Sequence, residues 1–159
     1  MGRVWVVGSL NVDRSWSVAR HPRVGETITG AARGRAPGGK GLNQAVAARR
    51  MGAEVTVVGR VGDDPDGRWL SAVAADHGID VDPLIAVPDV ATGAALIVVA
   101  ADGANTVTVD PGANATLAVD RLDLGPDDVV VAQLEVPIAA VRSALRIARE
   151  AGARSVLNP

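Results

Sequence analysis

The sequence predicts an α/β fold in which a mostly parallel sheet carries helices on its faces and a smaller, more solvated sheet stands apart. Three observations carry that prediction. Val4–Val7, Val55–Val61 and a run within Asp127–Leu134 are short, continuous and β-branched, the pattern of strands buried on both faces. Val55–Val61 and Asp127–Leu134 are each followed by a helical pattern, and strands alternating with helices imply parallel pairing through right-handed crossovers. Arg14–Ala19 instead alternates polar with apolar residues, as a strand with one wet face does.

In chain order, Val4–Val7 is the first strand, broken by Gly8 and by Asn11-Val12-Asp13. Arg14–Ala19, with Trp16 and Val18 on one side, and the glycine-bounded Ile28–Arg35 supply two exposed strands. Gly41–Met51 is alanine-rich and helical, and Gly52 suits the left-handed residue that ends a helix. Val55–Val61 comes next as a buried strand. Pro65–His77 has proline in its first turn, Trp69, Leu70, Val73 and Ala74 on one face, and Gly78 as its stop. Thr92–Ala100 and Asn105–Val109 flank Ala101-Asp102-Gly103-Ala104 as a hairpin. Asp127–Leu134 holds another buried strand, Pro137–Ala151 a helix stopped by Gly152, and Ser155–Leu157 a last strand. A doubly wound sheet that stops on a strand leaves a face and an edge open, so a fold continuing beyond Pro159 is expected.

Bulk properties narrow the function classes. The 159 residues suffice for one domain, and 48% hydrophobic with 21% charged residues is a globular composition. With no Phe or Tyr and 3 Trp, the core must be built from Val, Ala, Leu and Ile. A net charge of −2 and a pI near 5.6 give no invitation to nucleic acid or to an anionic membrane surface. The absence of cysteine removes disulfides, thiolate metal sites and cysteine nucleophiles. The apolar start is too short for a signal peptide or a membrane span, so a cytoplasmic protein is expected. Arg49-Arg50 reads as a solvated helix face, and the sequon Asn114-Ala115-Thr116 as chance.

In an open α/β sheet, ligands lie beyond the carboxyl ends of the parallel strands. Asn11 and Asp13 come after the first strand, Gly59 to Asp64 after the second, and Glu135 after the strand that ends at Leu134; Asn158 lies at the last. Gly38-Gly39-Lys40-Gly41 can fold against that rim as a tight turn before a helix. Three glycines in four residues allow close approach, and free N–H groups at a helix start attract polar ligands. Lys40 is the only lysine in the chain. Carboxylates, amides and one lysine suit a polyhydroxylated ligand such as a sugar.

Plainer readings stand beside these. Asp13 fits a turn or cap, and Asp63-Asp64, which could sit beside a metal, more simply caps the helix at Pro65. His21 and His77 fit surface or cap positions. Glu135 sits between Leu134 and Val136-Pro137, where a carboxylate is costly unless paired or used. Gly34–Lys40 satisfies GxxxxGK, but Gly41 stands where a P-loop needs Ser or Thr.

The run Gly38-Gly39-Lys40-Gly41-Leu42-Asn43-Gln44-Ala45, with Gly52 and Gly62 downstream, is similar to the first signature of the ribokinase-like (PfkB) carbohydrate kinases. The resemblance extends along the chain through Gly8-Ser9-Leu10-Asn11-Val12-Asp13, Pro22 with Gly25-Glu26-Thr27, Gly62-Asp63-Asp64, Thr92-Gly93-Ala94-Ala95-Leu96-Ile97, Gly112-Ala113-Asn114, Gln133-Leu134-Glu135 and Leu157-Asn158-Pro159. Within the family it is greatest to the ribose kinases. The resemblance implies ribokinase-like αβα layers, with the exposed strands, about residues 14–37 and 92–110, inserted as a β lid over the sugar and used for homodimerisation. It implies that Asn11 and Asp13 bind sugar hydroxyls, that Gly39, Lys40 and Asn43 line the sugar pocket, and that Glu135 reaches the sugar from its strand end.

It also implies ATP as donor, Mg²⁺ and K⁺ as ions, and ribose phosphorylated at O5. Residues 1–159 resemble only the N-terminal, sugar-binding half. The family's second signature, of the Asp-Thr-x-Gly-Ala-Gly-Asp type, supplies the catalytic base, and neither it nor the Asn-x-x-Glu element has a counterpart here. No catalytic residue is therefore assigned. Phosphoryl transfer works by positioning and charge stabilisation, so these residues alone are expected to be inactive. The alternative is a non-catalytic sugar-binding or lid-mediated interaction module.

Overall fold

The computed structural model describes residues 2–159; Met1, the first residue of the expected 1–159 span, lies outside them. One sheet is entirely parallel. It contains β1 (Val4–Val7), β4 (Val55–Gly62), β5 (Leu84–Val87), β8 (Val129–Gln133) and β9 (Arg154–Asn158), in the spatial order β5-β4-β1-β8-β9. The second sheet contains β2 (Asn11–Val18), β3 (Gly30–Gly38), β6 (Gly93–Ala100) and β7 (Asn105–Asp110), in the order β3-β2-β6-β7. Its central pair, β2 and β6, is parallel and its outer pairs are antiparallel. Three helices, α1 (Lys40–Arg50), α2 (Pro65–Asp76) and α3 (Ile138–Glu150), complete the layers.

Alternation along β1 divides the core in two, as a strand buried on both faces requires. Trp5 and Val7 pack with Val130 and Ala132 of β8 against Ala140, Val141, Ala144 and Ala148 of α3. The alanines recur every fourth residue, so one smooth helix face approaches the sheet closely. Val6 points the other way, joining Val57, Leu42 and Ala45 of α1, and Leu70 and Ala74 of α2. Gly52, Gly78 and Gly152, each with φ between 72° and 90°, end the three helices as left-handed residues. All five residues of β9 are exposed. No helix among the described residues is long and apolar enough to cross a membrane.

Several boundaries depart from expectation. The second sheet starts at Asn11 rather than Arg14, because Asn11 pairs with Gly38 across β2 and β3 and with Gly93 across β2 and β6. Gly38 is therefore the end of a strand, not part of a tight turn. The chain reverses at Gly39 alone, whose φ of 88° is left-handed, and α1 begins at Lys40 rather than Gly41. β5 has no counterpart among the expected strands: Leu84–Val87 is four residues between Pro83 and Pro88, and only its edge pairing with β4 makes it a strand. A short 3-10 turn at Gly112–Thr116 is likewise additional. Arg49 is not simply solvated, since its guanidinium donates to the carbonyls of Gly78 and Ala53 and ties the ends of α1 and α2.

Candidate functional site

β1 is the topological switch of the parallel sheet, with the chain proceeding to β4 and β5 on one side and to β8 and β9 on the other. Ligands of open α/β sheets bind at such a switch, beyond the carboxyl ends of the diverging strands. Here Ser9, just past β1, donates from Oγ to Glu135 Oε2, just past β8, at 2.6 Å. The same carboxylate oxygen accepts the backbone N–H of Lys40, the first residue of α1, at 2.9 Å. A negative charge at a helix N-terminus is favourable, and this bond locks α1 onto the switch.

That locking corrects one expectation. The N–H groups at the start of α1 are not free to attract a ligand. Lys40 donates to Glu135, Leu42 to the Ser9 carbonyl at 3.0 Å, and Gly41 lies 3.4 Å from Ser9 Oγ. The glycines serve this close contact. A Cβ at Gly39 would stand 2.7 Å from the Ser9 carbonyl oxygen, and one at Gly41 2.6 Å from the same atom.

The second sheet supplies the opposite wall. Residues on one face of β2, Asn11 and Asp13, are in register with Gly93 and Ala95 of β6, and Ala95 and Ile97 with Val109 and Val107 of β7. A cleft of about 160 Å³ lies between this wall and the switch. It is lined by Asn11, Asp13, Gly39, Lys40, Asn43 and Glu135, and by the apolar side chains of Ala95, Ile97, Val107 and Val109. The cleft thus brings together all six residues expected from the sequence. A larger open groove of about 630 Å³ runs along the outer face of α3 among Arg142, Arg146 and Arg149, and contains no carboxylate.

The polar residues differ in how they are held. Asn11 is 4% exposed and its Oδ1 accepts from Asn114 Nδ2 at 2.8 Å. Asp13 accepts no hydrogen bond among the described residues; a Cβ at Gly38 would run into its carboxylate, so glycine there leaves the carboxylate its room. Burial pushes the Asp13 carboxyl above its ordinary value, and the charge of Glu135 adds to the rise. Lys40 and Asn43 are exposed at the cleft mouth.

Two residues of this constellation, Ser9 and Asn114, are not among those singled out from the sequence. Both lie in stretches that carry the family resemblance, but neither has a sequence signal of its own, because each acts through another side chain. Asn114 is 1% exposed with its whole amide engaged.

Of the pair Asp63-Asp64, the reading as a helix cap holds for Asp64 and not for Asp63. Asp64 caps α2 by accepting from Gly67 N at 2.7 Å, and also accepts from Thr92 N at 2.8 Å and Thr92 Oγ1 at 2.7 Å. Burial opposes its ionisation, but these bonds together hold its carboxyl below the ordinary value. Asp63 pairs with Arg68 at the surface, and His77 is the residue that ends α2. On the outer face of the second sheet, Arg14 and Arg35 both bind Asp66, at 2.6 and 2.7 Å, and Arg35 lies 4.3 Å from the Trp69 ring centre. These contacts join the second sheet to α2.

Comparison with known proteins agrees with this architecture. The profile of the pfkB family carbohydrate kinases matches residues 1–159. Ribokinase of Staphylococcus aureus is 39% identical over 163 residues, covering 99% of this chain and 54% of that protein. The crystal structure of ribokinase from Cryptococcus neoformans var. grubii in complex with ADP superposes with a TM-score of 0.87 at 36% identity, over 100% of this chain and 51% of that one. Arabidopsis thaliana ribokinase complexed with ribose and ATP gives a TM-score of 0.82 at 28% identity, over 99% and 53%. The chain spans about half the length of these relatives.

Proposed function

Because this chain belongs to the pfkB family of carbohydrate kinases, we propose that its cleft binds one free pentose, ribose before others, as the sugar-holding part of an ATP-dependent kinase acting on the primary hydroxyl O5. The observation that carries this reading is the convergence of Asn11, Asp13, Gly39, Lys40, Asn43 and Glu135 on one small cleft. A half-buried carboxylate with no protein partner is an acceptor held for hydroxyl donors, and sugar hydroxyls are such donors. The apolar wall of Ala95, Ile97, Val107 and Val109 suits the C–H face of a sugar ring. At about 160 Å³ the cleft is well below the ~300–1,000 Å³ of pockets for drug-sized ligands, which favours a single ring over a nucleoside.

In this reading Asp13 and the free Oε1 of Glu135 accept from sugar hydroxyls, and Asn11 and Asn43 donate. Lys40 closes the mouth, and Gly39 lets the backbone approach the ring. The described residues do not fit a triphosphate with Mg²⁺. They contain no group of three or more His, Asp or Glu placed to hold a metal ion, and the donors at the start of α1 are already taken. No step of phosphoryl transfer is assigned to them. The second sheet acts as a lid whose face turned away from the cleft, where Leu96 is 46% exposed, offers a homodimer contact.

Isothermal titration tests the assignment. Ribose should bind saturably at one site, with fructose and adenosine at least about tenfold weaker, a difference of ~1.4 kcal/mol. A preference for adenosine or fructose would overturn ribose as the ligand. Ribose-dependent ATP consumption by the 159-residue chain would overturn the division of labour.

A further inference from the structure

Behind Asn11, outside the cleft, lies a buried amide with every polar atom engaged. Asn114 sits in the 3-10 turn after β7 and is buried against Leu10. Its Oδ1 accepts the backbone N–H of Leu10 at 3.0 Å, and its Nδ2 donates to the Leu10 carbonyl at 3.1 Å. A side-chain amide has two possible orientations, normally chosen by its surroundings. Here the choice is forced, because a backbone N–H is always a donor and a backbone C=O always an acceptor. The second N–H of Asn114 then points at the Asn11 amide at 2.8 Å and requires an oxygen there. Only Oδ1 satisfies it, so Asn11 Nδ2 must be the end turned away. Asn11 lines the cleft, and its Nδ2 has no partner among the described residues.

We propose that Asn114 is a positioning residue: it transmits the fixed polarity of the Leu10 peptide through its own amide to Asn11, so that Asn11 presents its N–H₂ to the cleft and receives a ligand oxygen as acceptor. The reading rests on a hydroxylated ligand occupying this cleft. It explains why position 93 is glycine, since a Cβ there would run into both Asn114 Nδ2 and Asn11 Oδ1. It also divides the hydrogen-bonding work. Asp13 and Glu135 are acceptors only, and without the relay Asn11 is free to turn its oxygen inward and leave the cleft wall without a fixed donor. Because Asn114 lies after β7 while Leu10 precedes β2, the relay also joins the second sheet to the rim of the first.

Two measurements on the 159-residue chain separate the relay from the ligand. In the free protein, side-chain amide exchange by ¹⁵N NMR should show the Asn114 protons exchanging at least about 100-fold slower than those of exposed Asn43. Equal rates would overturn the relay. Ribose affinity is then compared for the parent, Asn114→Ser, Asn11→Ala and the double variant, each confirmed folded by its amide spectrum. Asn114→Ser should weaken ribose about 10-fold in the parent and have no further effect in Asn11→Ala, because it acts only through Asn11. A purely structural role would give the same loss in both backgrounds and would overturn the proposal. So would an Asn114→Ser protein with parental affinity. If the Asn114→Ser protein does not fold, Asn114→Asp keeps the shape and the bond from Leu10 N–H while turning the donating end into an acceptor, and must weaken ribose at least as much. A protected Asn114 with no ribose response anywhere in the spectrum would overturn the sugar assignment, and this inference with it.

Discussion

Asp13 and Asp64 both lie past a carboxyl end of the parallel sheet, Asp13 in β2 after β1 and Asp64 after β4 beside Thr92, yet their surroundings are opposite. Asp64 accepts three hydrogen bonds, from Gly67 N, Thr92 N and Thr92 Oγ1, and its carboxyl is held below the ordinary value despite burial. Asp13 accepts none among the described residues, and burial with the Glu135 charge pushes its carboxyl up. A satisfied carboxylate holds structure together. One left bare in a cleft costs stability and is explained by a ligand that supplies the missing donors.

Truncating each carboxylate in turn separates the two roles. Asp64→Ala removes a helix cap and strands the buried donors of Thr92, for a combined loss of about 3 kcal/mol in unfolding free energy, with little effect on ribose affinity in the folded fraction. Asp13→Ala should leave denaturant stability unchanged or raised and should weaken ribose about 10- to 100-fold, or ~1.5–3 kcal/mol. Urea unfolding and titration of both variants would reverse the assignments if Asp13→Ala melted the protein with affinity intact.

Next in size is Gly93→Ala. Its new methyl must displace either Asn11 or Asn114, an overpacking penalty of about 1–3 kcal/mol, visible both as a lower Tm and as weaker ribose binding. Gly125→Ala is the control, because its nearest heavy atom is 3.9 Å away; a parental Tm is expected there.

pH dependence sharpens the contrast because the signs oppose. The folded state keeps the proton of Asp13 to higher pH than the unfolded chain does, so its contribution to stability falls as pH rises through the carboxylate range. Asp13→Asn should therefore gain on the parent in Tm as the pH rises above the ordinary carboxylate value of about 4. The folded state loses the proton of Asp64 earlier than the unfolded chain, so its contribution is present above the ordinary carboxylate value and is lost on acidification. The deficit of Asp64→Asn should shrink below about pH 4. Parallel shifts in the two variants would deny that their environments differ.

The smallest effect is expected at the outer face of the second sheet. Arg35→Ala removes a half-exposed pair with Asp66 and the stacking on Trp69, worth less than about 1 kcal/mol and further reduced by salt. A larger loss would mean that the sheet depends on this tether more than on its packing.

The sequence is most legible where one residue's chemistry is decided by its own neighbours. The buried strands announce themselves by β-branched runs, and the helix ends by Gly52, Gly78 and Gly152. Five of the six cleft residues stand just past a strand end or in the glycine-rich turn, where residue type and position already point to a ligand; Asn43 is marked by the family resemblance alone. The rest is decided at long range. β5 is a strand only because β4 offers it an edge. The start of α1 looks open in the sequence, but Ser9 and Glu135, the latter 95 residues distant from Lys40, fill it. Asn114 is 103 residues from Asn11, and no local pattern could link them.

The most direct test of the account is a titration of ribose into the 159-residue chain beside its Asp13→Ala variant, under identical buffer and temperature. Saturable binding at one site, weakened about 10- to 100-fold by the substitution while the melting curve holds or rises, is the predicted result. Absence of saturable binding in the parent, or equal affinity in the two proteins, would contradict the claim that the bare carboxylate of Asp13 is kept for a sugar.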